Sequence, residues 1–360
     1  MIAAPVVYGQ YQLVHINITT GDWTRLDVPS GNLRGDIITQ LSSTSFLMIG
    51  SGLTTPSIAA RVSITDGFTT KLTLIRESVD KTYPESLFSS PEHIAFTAHK
   101  GYERSVHGFY WPPHNPKYVA PPGELPPLII MPHGGPTGHT SPGLALDPVQ
   151  FYTSRGYAFV AINYTGSSGH GKQYRESLFG RWGIVDTDDV AEMVAYLAQQ
   201  GRIDGRRVGI QGGSAGGYNV LNSLCFYPDT YAAGICICGV SDVKALTVGT
   251  HKMESRYMEV LMDVVGKSPE EQNKVYEERS PLNFADKIKA PLLLIHGEDD
   301  PVVPIEQSRQ VMGKIQERGG TAKLISVPGE GHGFHKASSL ELYVRESEAW
   351  WAKTLLEIDS

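Results

Sequence analysis

The chain has 360 residues, 41% of them apolar and 19% charged, enough to fill a large core and outside the composition of a disordered chain. Lys and Arg number 31 against 38 Asp and Glu, a formal charge of −7, which argues against a nucleic-acid backbone as the main partner. The length fits two domains, or one large α/β domain with an appendage. Residues 1–85 alternate short β-prone runs with polar turns: YQLVHINI, TGDWTRLDV, SFLMIGS, AARVSIT and KLTLI. The first two read as strands around a Thr20-Gly21 turn. So few strands expose edges and a half-built apolar face, which invite pairing with another chain and make a homo-oligomer an open expectation. PEHIAFTAHKGYERSVHGFYW at 91–111 adds two strands about Lys100-Gly101, and seven prolines at 112–127 then exclude helix or central strand.

Beyond residue 127 the pattern changes. LPPLIIMPHGG, YAFVAINY, RRVGIQGG, AAGICICGV, APLLLIHG and TAKLISVPG are short, nearly all-apolar strands. They alternate with helical text: TDDVAEMVAYLAQQG, with Val190, Met193, Val194 and Leu197 on one face, IEQSRQVMGKIQERGG, and the closing LELYVRESEAWWAKTLLEI. This describes a mostly parallel sheet covered on both faces, with chemistry expected at the C-terminal ends of its strands.

The sharpest chemical signal is Gly212-Gly213-Ser214-Ala215-Gly216, between a strand and a helix-compatible run. A serine hydroxyl is a poor nucleophile unless it is lifted clear of the sheet, beside a base and amide donors, and a tight strand-to-helix turn flanked by small residues does this. Taken as a bare string, the motif is an ordinary glycine turn; its flanking elements favour the catalytic reading. Glu298-Asp299-Asp300 follows one strand and Glu330-Gly331-His332 follows the next, so the order is Ser, acid, His. His332 alone would read as a structural loop histidine, and spacing does not choose between Asp299 and Asp300. One oxyanion donor is expected at the amide of Ala215, the other in His133-Gly134-Gly135-Pro136.

PHGGP at 132–136, NYTGSSGHGKQYRESLFGRWGIVDTDD at 163–189, GGSAGGY at 212–218, SPLNFADKI at 280–288, HGEDDPVVP at 296–304 and GEGHGF at 329–334 resemble the prolyl oligopeptidase family of serine peptidases. Within it they look like the acylaminoacyl peptidase and dipeptidyl aminopeptidase branch. The resemblance spans about residues 90–360. It implies an α/β-hydrolase fold over 86–360, a triad of Ser214, Asp300 and His332, and oxyanion donors at the Gly135 and Ala215 amides. It also implies that residues 1–85 are the last one or two blades of a β-propeller, a cap that admits short peptides. The implied activity is release of an acylated residue or a dipeptide from short peptides, with a carboxylesterase-like hydrolase or a catalytically silent fragment as the competing readings.

Many relatives place an arginine two residues beyond the catalytic aspartate, where this chain has Val302. Arg256, in the polar run His251–Tyr257, is the compensating candidate, set against a solvent-exposed helix turn. Val303, Tyr218 and Val240 are candidate pocket walls, with plain core packing the alternative for the last two. No cofactor or metal is expected. Gly166–Gly171 completes no phosphate-binding motif, Asp188 and Asp189 read as first-turn charges of a helix beginning near Thr187, and Cys236 and Cys238 read as buried packing on one strand face. Three cysteines in apolar text, no basic leader and no run of 18 apolar residues favour a cytoplasmic protein with no membrane partner.

Overall fold

The structure is a computed structural model describing residues 1–33, 38–65, 68–79, 83–249 and 256–357. The N-terminal strands are β1 (Ile2–Ala3), β2 (Val6–Val7), β3 (Gln10–Tyr11), β4 (Val14–Ile16), β5 (Trp23–Arg25), β6 (Asn32–Leu33), β7 (Thr39–Ser42), β8 (Ser45–Ser51), β9 (Ile58–Ile64) and β10 (Thr70–Glu77). They form a small antiparallel sheet in the order β1-β4-β5, a hairpin β2-β3, and a sheet β10-β9-β8-β6 to which β7 adds beside β8. The predicted Thr20-Gly21 turn joins β4 to β5. This region has its own apolar cluster, with Leu13, Leu26, Phe46, Met48 and Val62 buried. The anticipated exposed apolar surface is found on β10, where Leu72, Leu74 and Ile75 face solvent.

The second sheet comprises β11 (Glu92–Ala98), β12 (Arg104–Trp111), β13 (Leu128–Pro132), β14 (Ala158–Asn163), β15 (Val208–Gly213), β16 (Ala233–Ile237), β17 (Leu292–Gly297) and β18 (Ala322–Val327). Their order is β11-β12-β14-β13-β15-β16-β17-β18. The first two join antiparallel, and from β14 to β18 every pairing is parallel. The all-apolar strand text has a direct cause: both faces are covered, so side chains of either parity must be apolar. Leu128, Ile130, Val160, Leu292 and Leu294 enter one core, while Ile129, Phe159, Ala161, Leu293 and Ile295 enter the other with Trp351 of the closing helix Ala337–Leu355.

Two local readings are corrected. The helix predicted near Thr187 spans Val185–Gln199, which leaves Asp188 in its first turn and Asp189 beyond it; Asp189 is instead fully buried, accepting from Arg104 Nε at 2.7 Å and Thr165 N–H at 2.7 Å. Arginine lies 85 residues upstream, so local spacing gave no sign of the pair. Cys238 lies just past the end of β16 with φ +44°, which removes it from the strand face it was assigned to share with Cys236.

Candidate active site

Ser214 stands between β15 and the helix Ala215–Phe226, with φ +55° and ψ −121°. That conformation is unfavourable for a residue with a Cβ, and the surroundings impose it. Its N–H donates to the Ile237 carbonyl at 2.9 Å, and its own carbonyl accepts from Tyr218 N–H at 2.9 Å. The flanking glycines are required by close approach. A Cβ on Gly212 would lie 2.5 Å from the Gly216 carbonyl oxygen, and one on Gly216 would lie 2.3 Å from that of Pro132. The turn is thereby pressed against the end of β13, and the hydroxyl is presented at the C-terminal edge of the sheet.

His332, in the loop after β18, places Nε2 2.9 Å from Ser214 Oγ and Nδ1 2.7 Å from Asp300 Oδ2. The loop is held by a residue that sequence reasoning passed over. Glu330 is buried, and its carboxylate accepts from Lys336 N–H at 2.8 Å and His335 N–H at 3.1 Å. The Lys336 amide foremost, then the Ser339 side chain and the His335 amide, hold the carboxyl below its ordinary range. The only advance sign was the position of an acid two residues before the histidine.

Asp300 leaves the end of β17 with its carboxylate fully enclosed. Oδ1 accepts from the N–H groups of Val302 at 2.8 Å and Val303 at 2.9 Å. Burial by itself would raise its pKa, but the His296 ring, with Nε2 3.4 Å from Oδ2, and the hydrogen bonds from His332 and the two amides outweigh it and hold the carboxyl well below the usual range. Asp299 is exposed, so geometry separates the neighbours that spacing left unresolved. Beneath the acid, His296 donates from Nε2 to the Val303 carbonyl at 2.8 Å and accepts at Nδ1 from Ser308 Oγ at 2.7 Å. Burial pushes the Cys238 thiol up to about 12, with Asp300 beside it. Cys238, His296 and Asp300 bring ligand-type atoms within 4.8 Å of one another. As a metal set they fit poorly: both imidazole nitrogens already have partners and the thiol is protonated.

The other candidates fall into two places. Tyr218, Val240 and Val303 are buried in one cluster with Ala215, Leu178 and Trp182, and the Tyr218 hydroxyl donates to the Arg279 carbonyl at 2.7 Å. Arg256 is exposed at the start of the helix Tyr257–Leu261, while residues 251–255 of the same run lie outside the described residues. Its neighbour Tyr257 has its hydroxyl 2.5 Å from Thr137 Oγ1, which ties this helix to the glycine turn after β13. In that turn Gly135 has φ +124°, a backbone conformation that a side chain would disfavour. Among the described residues neither the Gly135 nor the Ala215 N–H has a protein acceptor. The arrangement can therefore deprotonate a serine hydroxyl and offers amide donors at the turn that faces it.

The sequence pattern of the prolyl oligopeptidase family matches residues 146–357. Dipeptidyl aminopeptidase BIII of Pseudoxanthomonas mexicana is 34% identical over 230 residues, covering 64% of this chain and 33% of that protein. The acylamino-acid-releasing enzyme of Rattus norvegicus is 30% identical over 209 residues, covering 57% of this chain and 28% of that protein. Among solved structures, a puromycin-hydrolyzing peptidase of Mycobacterium tuberculosis superposes with a TM-score of 0.89 at 34% identity, over 97% of this chain and 51% of its own. The chain thus spans about a third of the length of these curated relatives and about half of that solved structure.

Proposed function

The chain belongs to the prolyl oligopeptidase family, and from that premise we propose that it is a serine peptidase acting through an acyl-enzyme on the N-terminal end of short peptides. The observation that carries the reading is the continuous relay Ser214 Oγ, His332, Asp300, at 2.9 and 2.7 Å. His332 Nε2 takes the proton as Ser214 Oγ attacks the scissile carbonyl, and returns it to the leaving amine. Water then attacks the ester with the same imidazole as base. Asp300, kept ionised by its three donors and the His296 ring beside it, fixes the Nδ1–H tautomer and stabilises the imidazolium. The amides of Gly135 and Ala215 receive the oxyanion, each worth roughly 3 to 4 kcal/mol in the transition state.

The finer reading is release of an acylated residue or a dipeptide, as the names of the acylamino-acid-releasing and dipeptidyl aminopeptidase relatives describe. The fit to the puromycin-hydrolyzing peptidase over almost the whole chain favours a second reading, hydrolysis of single aminoacyl amides. We propose that residues 1–85 are one or two propeller blades, supported by the antiparallel sheet in which β10, β9 and β8 are followed by β6 and β7, both paired with β8, since a propeller blade is a four-stranded antiparallel sheet.

A fluorophosphonate probe should label wild type and not Ser214→Ala. N-acyl aminoacyl anilides, dipeptidyl anilides, free aminoacyl anilides, puromycin and aryl esters, assayed side by side, separate the readings. Turnover of the first two above the rest supports the exopeptidase, dominance of aminoacyl anilides and puromycin supports the amide hydrolase, and ester turnover alone removes the peptidase reading.

A further inference from the structure

His133 lies outside the relay, yet it is buried at the head of the glycine turn with both ring nitrogens engaged. Nδ1 is 2.8 Å from the Gly134 carbonyl oxygen and Nε2 is 2.7 Å from Ser167 Oγ. The ring stacks on Tyr164 at 4.2 Å between centroids and 16° between planes. The Tyr164 hydroxyl lies 3.0 Å from the His133 carbonyl and 2.8 Å from the Pro136 carbonyl, so it spans both ends of the turn. Burial lowers the ring to about 4, hence His133 is neutral at ordinary pH and carries one ring proton.

The surroundings decide where that proton sits. Ser167 Oγ is also 2.7 Å from the Tyr164 carbonyl and can donate there instead of to the ring; that carbonyl keeps the Ser167 N–H at 2.9 Å in either case. With the hydroxyl proton given to Nε2 and the ring proton on Nδ1, Ser167 gives up its hydroxyl bond to Tyr164, but both ring nitrogens and both carbonyls, Gly134 and Tyr164, keep a hydrogen-bond partner. The opposite tautomer sets the Nδ1 lone pair against a carbonyl oxygen at 2.8 Å, which is repulsive. Nδ1–H therefore donates to the Gly134 carbonyl. That carbonyl and the Gly135 N–H belong to one peptide unit, which is not among the cis bonds of the chain, so the two point in opposite directions. Holding the carbonyl on the buried ring turns the Gly135 N–H away from it. Gly134 lies against the nucleophile turn, since a Cβ there would be 3.7 Å from Ser214 Cβ.

We propose that His133, oriented by Ser167 and Tyr164, is a positioning residue that sets the plane of the Gly134–Gly135 peptide and so aims the Gly135 amide at the developing oxyanion. The proposal rests on the serine-peptidase reading above. It asks His133 to act on the transition state through the peptide plane, without touching substrate.

Two isosteres test it, because an asparagine amide nitrogen overlays the Nδ1 of histidine and a glutamine amide group overlays Nε2. His133→Gln should lower kcat by about tenfold to a hundredfold, short of the 10²–10³ for losing a whole donor. KM should stay within about twofold, and a peptide boronic acid, whose tetrahedral adduct needs the same amide, should weaken in parallel with kcat. His133→Asn should restore kcat to within about threefold of wild type. Equal losses in the two variants, or a fall in kcat with unchanged boronate affinity, would overturn the proposal. Should both variants unfold, ¹⁵N shifts of the wild-type His133 ring decide: an Nδ1–H tautomer supports the clamp and an Nε2–H tautomer refutes it. Failure of the parent reading looks different, as wild type would then show no Ser214-dependent hydrolysis while the ring tautomer remained measurable.

Discussion

Replacing Asp300 by asparagine tests the relay at the point where geometry is most constrained. Oδ1 has two N–H donors, from Val302 and Val303, and Oδ2 faces His332 Nδ1 at 2.7 Å. An asparagine can keep the two amide bonds only by directing its NH₂ group at the imidazole. Nδ1 must then accept, the proton moves to Nε2, and His332 loses the lone pair it needs to take the Ser214 proton. An amide in this position of a Ser-His-Asp relay costs about 10⁴ in kcat, close to 5.5 kcal/mol at about 1.4 kcal/mol per decade. The cost to folding should be far smaller, about 1 to 3 kcal/mol for the weakened charge-assisted bonds, because the Oδ1 pair survives. Asp299→Asn, at an exposed side chain, should change stability by no more than about 0.5 kcal/mol and leave turnover near wild type. Steady-state kinetics on whichever substrate wild type turns over, with thermal melts of all three proteins, makes the comparison. Retention of more than about a hundredth of wild-type kcat in Asp300→Asn, or equal losses at 299 and 300, would refute the tautomer argument.

Other outcomes follow from single features. Ser214→Gly removes the Cβ from a φ of +55° and should be at least as stable as Ser214→Ala, by up to about 2 kcal/mol, while both are inactive; a glycine variant that melts well below the alanine variant would show that the turn is unstrained. Arg104→Met strands the buried Asp189 carboxylate and should cost about 3 to 5 kcal/mol, much of it recovered in Arg104→Met/Asp189→Asn; denaturant melts in which the double variant is no better than the single would count against the pair. His170 is lowered to about 3, by burial first and then by His107 and other imidazoles, and among the described residues neither of its nitrogens has a hydrogen-bond partner. Between that value and the ordinary 6.5 the unfolded chain binds the extra proton, so the stabilisation from a neutral ring is complete above about 6.5 and lost as pH falls toward 3. Asp186 and Asp189, raised by burial to about 7 and 6, act in the opposite sense. The measurable quantity is thus a difference: His170→Phe should lose less stability than wild type between pH 7 and 5, and equal slopes would overturn this reading of the ring.

The sheet was legible because burial on both faces writes itself into strand composition, and the triad because each member follows a strand end within a short motif. What stayed hidden shares a different property. Arg104 meets Asp189 across 85 residues, His133 meets Ser167 across 34, and Glu330 acts by turning back on the backbone of residues 335 and 336. None of these partnerships has a period or a spacing, since tertiary packing chooses them. Cys238 shows the limit even at short range. Alternation along β16 would place its side chain with that of Cys236, but the chain turns to positive φ at Cys238, and the thiol, buried as expected, lies beside the acid. Asp299 and Asp300 illustrate the same limit within two residues, for what separates them is which one the loop folds over its own amides.

The strain at Ser214 and the hydrogen bonds at Asp300 are linked by the strand between them. Ser214 N–H is anchored to the Ile237 carbonyl, and Cys238 N–H to the Ile295 carbonyl at 3.0 Å. A tie therefore passes from the nucleophile turn through the end of β16 to β17, the strand from which Asp300 departs. A backbone conformation costing about 1 to 3 kcal/mol persists only where neighbours over-determine it, and here those neighbours belong to the strands that carry the acid. Displacing the Ser214 backbone would disturb the end of β16 and the thiol packed beside Asp300, while displacing Asp300 would release two amides and the His332 ring. The elements that fix nucleophile and acid thus brace each other before any substrate arrives. The glycine turn after β13 is joined to this frame by contact at Gly216 and by the His133 clamp, so its amide is the part of the site whose aim depends most on side chains outside the relay.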